Sequence, residues 1–111
     1  MSHVTTHVLD TSTGKPAADV QVSLRRLDGG RWVQIAEGAT DADGRIKQLG
    51  PDRLPTGTYR LAFDTGTYFA ATGTATFFPE VILTFGVEES EAHYHVPLLL
   101  SPFAYSTYRG S

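Results

Sequence analysis

Apolar and polar residues alternate along most of this chain, and turn residues interrupt the alternation roughly every ten residues, the rhythm of short strands in an all-β sandwich. The interruptions fall at Ser12-Thr13-Gly14-Lys15-Pro16, Asp28-Gly29-Gly30, Asp41-Ala42-Asp43-Gly44 and Leu54-Pro55-Thr56-Gly57. They predict strands over 3–10, 20–27, 32–38, 45–47 and 58–63. Val20, Val22 and Leu24 then share one side of a strand, and Val33 shares a side with Ile35 across a short Gly-rich hairpin. One stretch departs from period two. Gly66 to Thr72, with Asp64 or Thr65 as cap and Gly73 as stop, predicts a single short helix bridging sheet edges. Three more strands follow over 80–87, 93–100 and 103–108, with Glu88-Glu89-Ser90-Glu91 as an acidic hairpin tip. The expected fold class is therefore all-β: a sandwich of about eight strands in two sheets with one helix.

The run Val96-Pro97-Leu98-Leu99-Leu100 is apolar at every position, so both of its faces need cover. The sandwich core supplies one cover, and a second copy of the chain is the simplest source of the other, which predicts a homo-oligomer. At 111 residues the chain is one domain, 1–111, and its 41% hydrophobic and 19% charged content is that of a globular protein. A net charge of −3 with no basic run speaks against nucleic acid and membrane partners. Without cysteine there is no disulfide, thiolate ligand or cysteine nucleophile. The opening Met-Ser-His-Val-Thr-Thr-His lacks the form of a secretory signal, so the cytoplasm is the expected compartment. The closing Arg-Gly-Ser is not the peroxisomal Ser-Lys-Leu address, which leaves peroxisomal import by another route open.

Candidate chemistry centres on four histidines, His3 and His7 near one end and His93 and His95 near the other. Each pair has even spacing, so within a strand its members point to one side. If the rows of Val4 and Val96 face the core, His7 and His95 lie on the opposite surface, where an oligomer provides cover. Imidazoles titrate nearest neutrality, and a close pair can take a proton from water and return it to a leaving nitrogen. His3 and His93 are read as solvated or structural. A zinc site made of three of these histidines is a further possibility, although no carboxylate is spaced to hold a free ring nitrogen. Asp41-Ala42-Asp43-Gly44 lacks the later acidic ligand of a calcium loop and reads as a plain turn, Glu88, Glu89 and Glu91 as a solvated tip, and Trp32 as core or sheet surface.

Longer motifs are more specific. Thr6-His7-Val8-Leu9-Asp10, Gly38 to Arg45, His93-Tyr94-His95-Val96-Pro97-Leu98-Leu99-Leu100-Ser101-Pro102 and Tyr105-Ser106-Thr107-Tyr108-Arg109-Gly110-Ser111 resemble the signatures of the transthyretin-like 5-hydroxyisourate hydrolase family. The resemblance covers nearly the whole chain. Its terminal Tyr-Arg-Gly-Ser separates the hydrolases from the hormone carrier that shares their fold. It implies a transthyretin-like (prealbumin-like) β-sandwich and a homotetramer with active sites at the dimer–dimer interface. It further implies a cofactor-free and metal-free site in which His7, Arg45 and His95 are catalytic, while His7, Arg45, Tyr108, Arg109 and Ser111 bind substrate. The implied reaction opens 5-hydroxyisourate, the product of urate oxidation, to 2-oxo-4-hydroxy-4-carboxy-5-ureidoimidazoline. The alternatives to weigh are a transthyretin-like carrier with an apolar channel, a structural β-sandwich and a zinc hydrolase.

Overall fold

The computed structural model describes residues 1–111. Its strands are β1 (Val4–Asp10), β2 (Lys15–Pro16), β3 (Gln21–Asp28), β4 (Arg31–Ala39), β5 (Arg45–Ile46), β6 (Gly57–Phe63), β7 (Val81–Val87), β8 (Tyr94–Ser101) and β9 (Ala104–Thr107), with helix α1 (Thr65–Ala71) between β6 and β7. All eight expected strands are present. The ninth is the two-residue β2, which lies inside an expected turn and pairs back onto Leu9 and Asp10. One sheet runs β2-β1-β8-β9 with β5 also on β1, and the other runs β4-β3-β6-β7.

The alternation sets the layers. Val4, Val8, Val96, Leu98 and Leu100 from the first sheet meet Val22, Leu24, Leu61, Phe63, Val81 and Leu83 from the second in one core of 20 buried residues. Removing a side chain such as Phe63 from this core would cost about 3–5 kcal/mol. Thr6 lies in the inward row of β1 and satisfies its hydroxyl by donating to the Val96 carbonyl at 2.7 Å. The helix starts at Asp64, whose carboxylate accepts from the Thr67 N–H at 3.1 Å, and it contributes Phe69 to the core. Tyr68 reaches from the helix to β1, donating to an Asp10 carboxylate oxygen at 2.8 Å.

Val33 and Ile35 lie exposed on edge strand β4. Two expectations are corrected. Glu88 to Glu91 is not a hairpin tip, because β7 and β8 belong to different sheets and the segment crosses between them. Its path is pinned where the Glu88 N–H donates to the Tyr94 hydroxyl and the Glu89 N–H to Thr56 Oγ1, both at 2.9 Å. His3 precedes β1 rather than sharing a strand face with His7, and its ring is buried. Trp32 is half-buried with the Arg60 guanidinium 3.9 Å from its ring centroid, so it belongs to the sheet surface. No helix is long and apolar enough to cross a membrane.

Candidate active site

The two ends of the chain meet through a parallel pairing of β1 with β8, in which Thr5 stands opposite His95 and His7 opposite Pro97. Thr5 and His7 share the outward row of β1, and His95 and Pro97 share that of β8. β5 then lies on the other side of β1 and places Arg45 opposite His7. That placement depends on the Asp41 turn. The Asp41 carboxylate accepts from the N–H groups of Asp43 at 2.8 Å and Arg45 at 3.0 Å. Gly44, at φ +74°, comes so close to β1 that a Cβ there would lie 2.4 Å from the Val8 carbonyl oxygen. A glycine is required at this position, and it brings Arg45 to the imidazoles. Hydrogen bonding to the Arg45 N–H is the leading cause that holds the exposed Asp41 carboxyl below its ordinary pKa.

A cavity of about 210 Å³ opens on this face, lined by Thr5, Arg45, Lys47, His93, His95 and Ser111 among others. Within it the Thr5 hydroxyl lies 2.8 Å from His95 Nδ1 and 3.0 Å from His93 Nε2. The two rings are nearly parallel, with centroids 6.4 Å apart. Burial first, and then Coulombic effects of Arg45, His93 and His7, lower the pKa of His95, which favours its neutral imidazole. A neutral imidazole with one nitrogen on Thr5 has the other available as a base or acid. His3 is excluded from such chemistry. Its Nδ1 accepts from the Leu54 N–H at 2.8 Å, so its Nε2 carries the proton donated to the Glu91 carbonyl at 2.6 Å. No three of the His, Asp and Glu side chains stand together in a way that could hold a metal ion.

The C-terminal segment folds back over the site. The Gly110 N–H donates to the His95 carbonyl at 2.8 Å, and Gly110 packs against the His95 ring and Pro97. Cover for the outward side of Pro97 thus comes from the chain itself rather than from a second copy. Arg45, His95 and Ser111 meet at one cavity, and His7 stands beside them across from Arg45. Tyr108 and Arg109 do not join them. They line a separate opening of about 430 Å³ with Leu83, Phe85, Tyr94 and Val96, where the Arg109 guanidinium lies 4.5 Å from the Tyr94 ring centroid. Sequence reasoning passed over Thr5 and left His93 without a chemical role. Thr5 lies two residues before His7, in the same row, which was the available signal.

A model of the HIUase/Transthyretin family matches residues 4–110. The chain belongs to this family. A relative named 5-hydroxyisourate hydrolase from Salmonella dublin is 49% identical over 106 residues, covering 95% of this chain and 78% of that protein. The solved structure of Klebsiella pneumoniae 5-hydroxyisourate hydrolase superposes with a TM-score of 0.89 at 42% identity, covering all of both chains. Transthyretin from Sparus aurata superposes at 0.94 with 34% identity, covering 99% of this chain and 97% of that one. The HIUase/Transthyretin fold is thus common to hydrolase and transthyretin relatives, and the side chains at the site must separate the two.

Proposed function

We propose that this protein hydrolyses 5-hydroxyisourate to 2-oxo-4-hydroxy-4-carboxy-5-ureidoimidazoline, as its hydrolase relatives' names suggest. The observation that carries the reading is the convergence of His95, Thr5, His93, Arg45 and Ser111 on one small polar cavity of a family member. In the reaction, water oxygen bonds to a ring carbonyl carbon, the ring C–N bond breaks, and one water proton ends on the leaving nitrogen. His95 is placed to take that proton through Nε2, which makes no hydrogen bond to the protein, while His7 orients the water. Arg45 carries a fixed positive charge and a planar fork of donors, suited to the oxyanion that develops on the carbonyl oxygen. Ser111 closes the cavity beside His95. Arg109 anchors the tail on Tyr94, and the largely exposed Tyr108 ring remains for substrate or for a neighbouring copy. No metal or organic cofactor has a part in this scheme.

The protein acts as a homotetramer in this reading, with sites at the dimer–dimer interface. Supporting it, Leu9 and Leu99 stand paired and only half-buried on the outward face that carries His7. Sedimentation should show a tetramer at micromolar concentration, and a stable monomer would remove this part. Cytoplasmic residence belongs to the same proposal, and cell fractionation tests it. The carrier alternative has the support of the transthyretin superposition, but Met1 and Ile46 are the only hydrophobic residues lining the cavity. To test the activity, 5-hydroxyisourate is generated freshly with urate oxidase and its ultraviolet decay is followed with and without the protein. Acceleration is expected, falling by about 10²-fold or more in His7→Ala and His95→Ala. Decay at the spontaneous rate with wild-type protein would reject the activity.

A further inference from the structure

Thr5 and His93 remain unassigned, although both line the cavity, Thr5 hydrogen-bonded to His95 and His93 linked to it through the Thr5 hydroxyl. A threonine hydroxyl has a single proton and can donate it only once, while its oxygen can accept. Bridging two imidazole nitrogens at 2.8 and 3.0 Å, it can therefore donate to only one of them, and the other must donate to it. The tautomers of the two histidines are linked in opposite senses. When His95 carries its proton on Nδ1 and gives it to Thr5, Thr5 gives its own to His93 Nε2, and His95 Nε2 is left as a lone pair. When Nε2 takes up a proton from water and both bridge protons shift across Thr5, His95 is left neutral with its proton on Nε2, so the same ring becomes an acid, and His93 becomes an imidazolium. Thr5 is buried on β1 and His93 half-buried just before β8, so this bridge is fixed by the parallel pairing rather than by a mobile loop.

We propose that Thr5 and His93 are positioning residues for His95, the Thr5 hydroxyl linking the two imidazoles so that His95 presents Nε2 as a base and passes the proton it collects to His93. The balance is simple. Water gives a proton to His95 Nε2, the Nδ1 proton moves to the Thr5 oxygen, and the Thr5 proton moves to His93 Nε2. His95 is neutral again, now protonated on Nε2, and His93 is an imidazolium. The leaving ring nitrogen takes the Nε2 proton, and the reverse movement across Thr5 returns His93 to neutrality. Placing the positive charge on His93 keeps it from accumulating on His95, where the charge of Arg45 opposes it. The charged and titratable groups around His95 are Arg45 and Lys47 from the β5 side, the Met1 amino group, His7 from β1 and His93 just before β8, with Ser111 on the same cavity.

The inference rests on the hydrolase reading, and a measurement that needs no substrate keeps the two separable. In protein labelled with ¹⁵N-histidine, the ring shifts of wild type should show His95 protonated on Nδ1 and His93 unprotonated on Nε2 at neutral pH. Thr5→Val should abolish that correlation, while Thr5→Ser should keep it. With substrate, Thr5→Val should lower kcat by about 10-fold or more at little change in KM and move the acid limb of the pH profile. Thr5→Ser should recover most of the loss. His93→Phe should resemble Thr5→Val, and the double variant should be no slower than either single one. Independent, additive losses, or His95 shifts that ignore Thr5→Val, would overturn the linkage. Wild-type protein that shows the tautomer pattern but does not accelerate decay would instead overturn the hydrolase reading alone.

Discussion

Substituting Gly110 with alanine tests whether the tail is part of the site or only decoration. A Cβ at this position would lie 2.6 Å from His95 Cδ2, 3.3 Å from His95 Cγ and 3.4 Å from Pro97 Cγ. Carbon atoms pack best at about 3.5–4.0 Å, so the closest approach is short by roughly 1 Å. Either the ring turns or the tail lifts by that amount. Lifting the tail breaks the hydrogen bond from the Gly110 N–H to the His95 carbonyl, a net loss of about 0.5–1.5 kcal/mol. With a domain of this size the melting temperature should fall by only a few degrees, because roughly 1 kcal/mol shifts Tm by about 4–8 °C. The effect on rate should be larger. A misplacement of about 1 Å at a reacting centre can cost about 10²-fold, equivalent to about 2.7 kcal/mol. The assay pairs ultraviolet decay of freshly generated 5-hydroxyisourate with thermal unfolding of the same preparation. A protein that melts nearly as wild type but turns over far more slowly is expected. Wild-type turnover, or loss of rate only in step with loss of folded protein, would show that the tail's packing on His95 does not set catalysis.

Because His95 is held neutral by burial and by Arg45, the acid limb of kcat/KM should have its midpoint below the ordinary histidine value of 6.5. Arg45→Met should move that limb upward in whatever activity remains, and a limb above 6.5 in wild type would contradict the assignment. His3→Ala should destabilise the fold by about 1–3 kcal/mol by leaving the buried Leu54 N–H without a partner, with a smaller loss at the solvent-accessible Glu91 carbonyl, while the folded fraction keeps its specific activity. Asp10 supplies an acid dependence of stability. Although burial raises its pKa, hydrogen bonds from Ser12, Tyr68 and Thr13 together hold it below its ordinary 3.8. Its contribution is thus complete above that value and is lost as pH falls through the lower folded-state pKa. Asp10→Asn should lose this pH-dependent part, so acid titrations of unfolding that run parallel in the two proteins would reject it. In the same contact, burial and the bond to Asp10 push the Tyr68 phenol up to about 12, so it stays a donor through the physiological range.

The sandwich was legible because alternation is a local property of extended chain: each apolar row had to face inward wherever its strand eventually paired. The capped helix was legible for the same reason, since Asp64 and Gly73 act on their immediate neighbours. Period two also put His7 and His95 on the outward surface, and the Asp-Gly turn marked where Arg45 would emerge. What local pattern could not give was the partner of each strand. Glu88 to Glu91 has the composition of a hairpin tip and yet crosses between sheets, since nothing in a turn sequence specifies which sheet receives the next strand. The parallel pairing of β1 with β8 joins residues about ninety positions apart in the sequence, a closure whose cost grows slowly with loop length and whose reward is the shared core. That pairing brought Thr5 beside two imidazoles, contacts with Leu54 and Glu91 fixed the buried His3, and the pairing of β9 and Gly110 with β8 left Ser111 at the cavity and Tyr108 and Arg109 at a separate opening. The sequence by itself determined which face the chemistry would occupy, because facing follows from spacing along a strand. Only the tertiary structure decided which groups touch, because contact depends on which distant strands lie side by side.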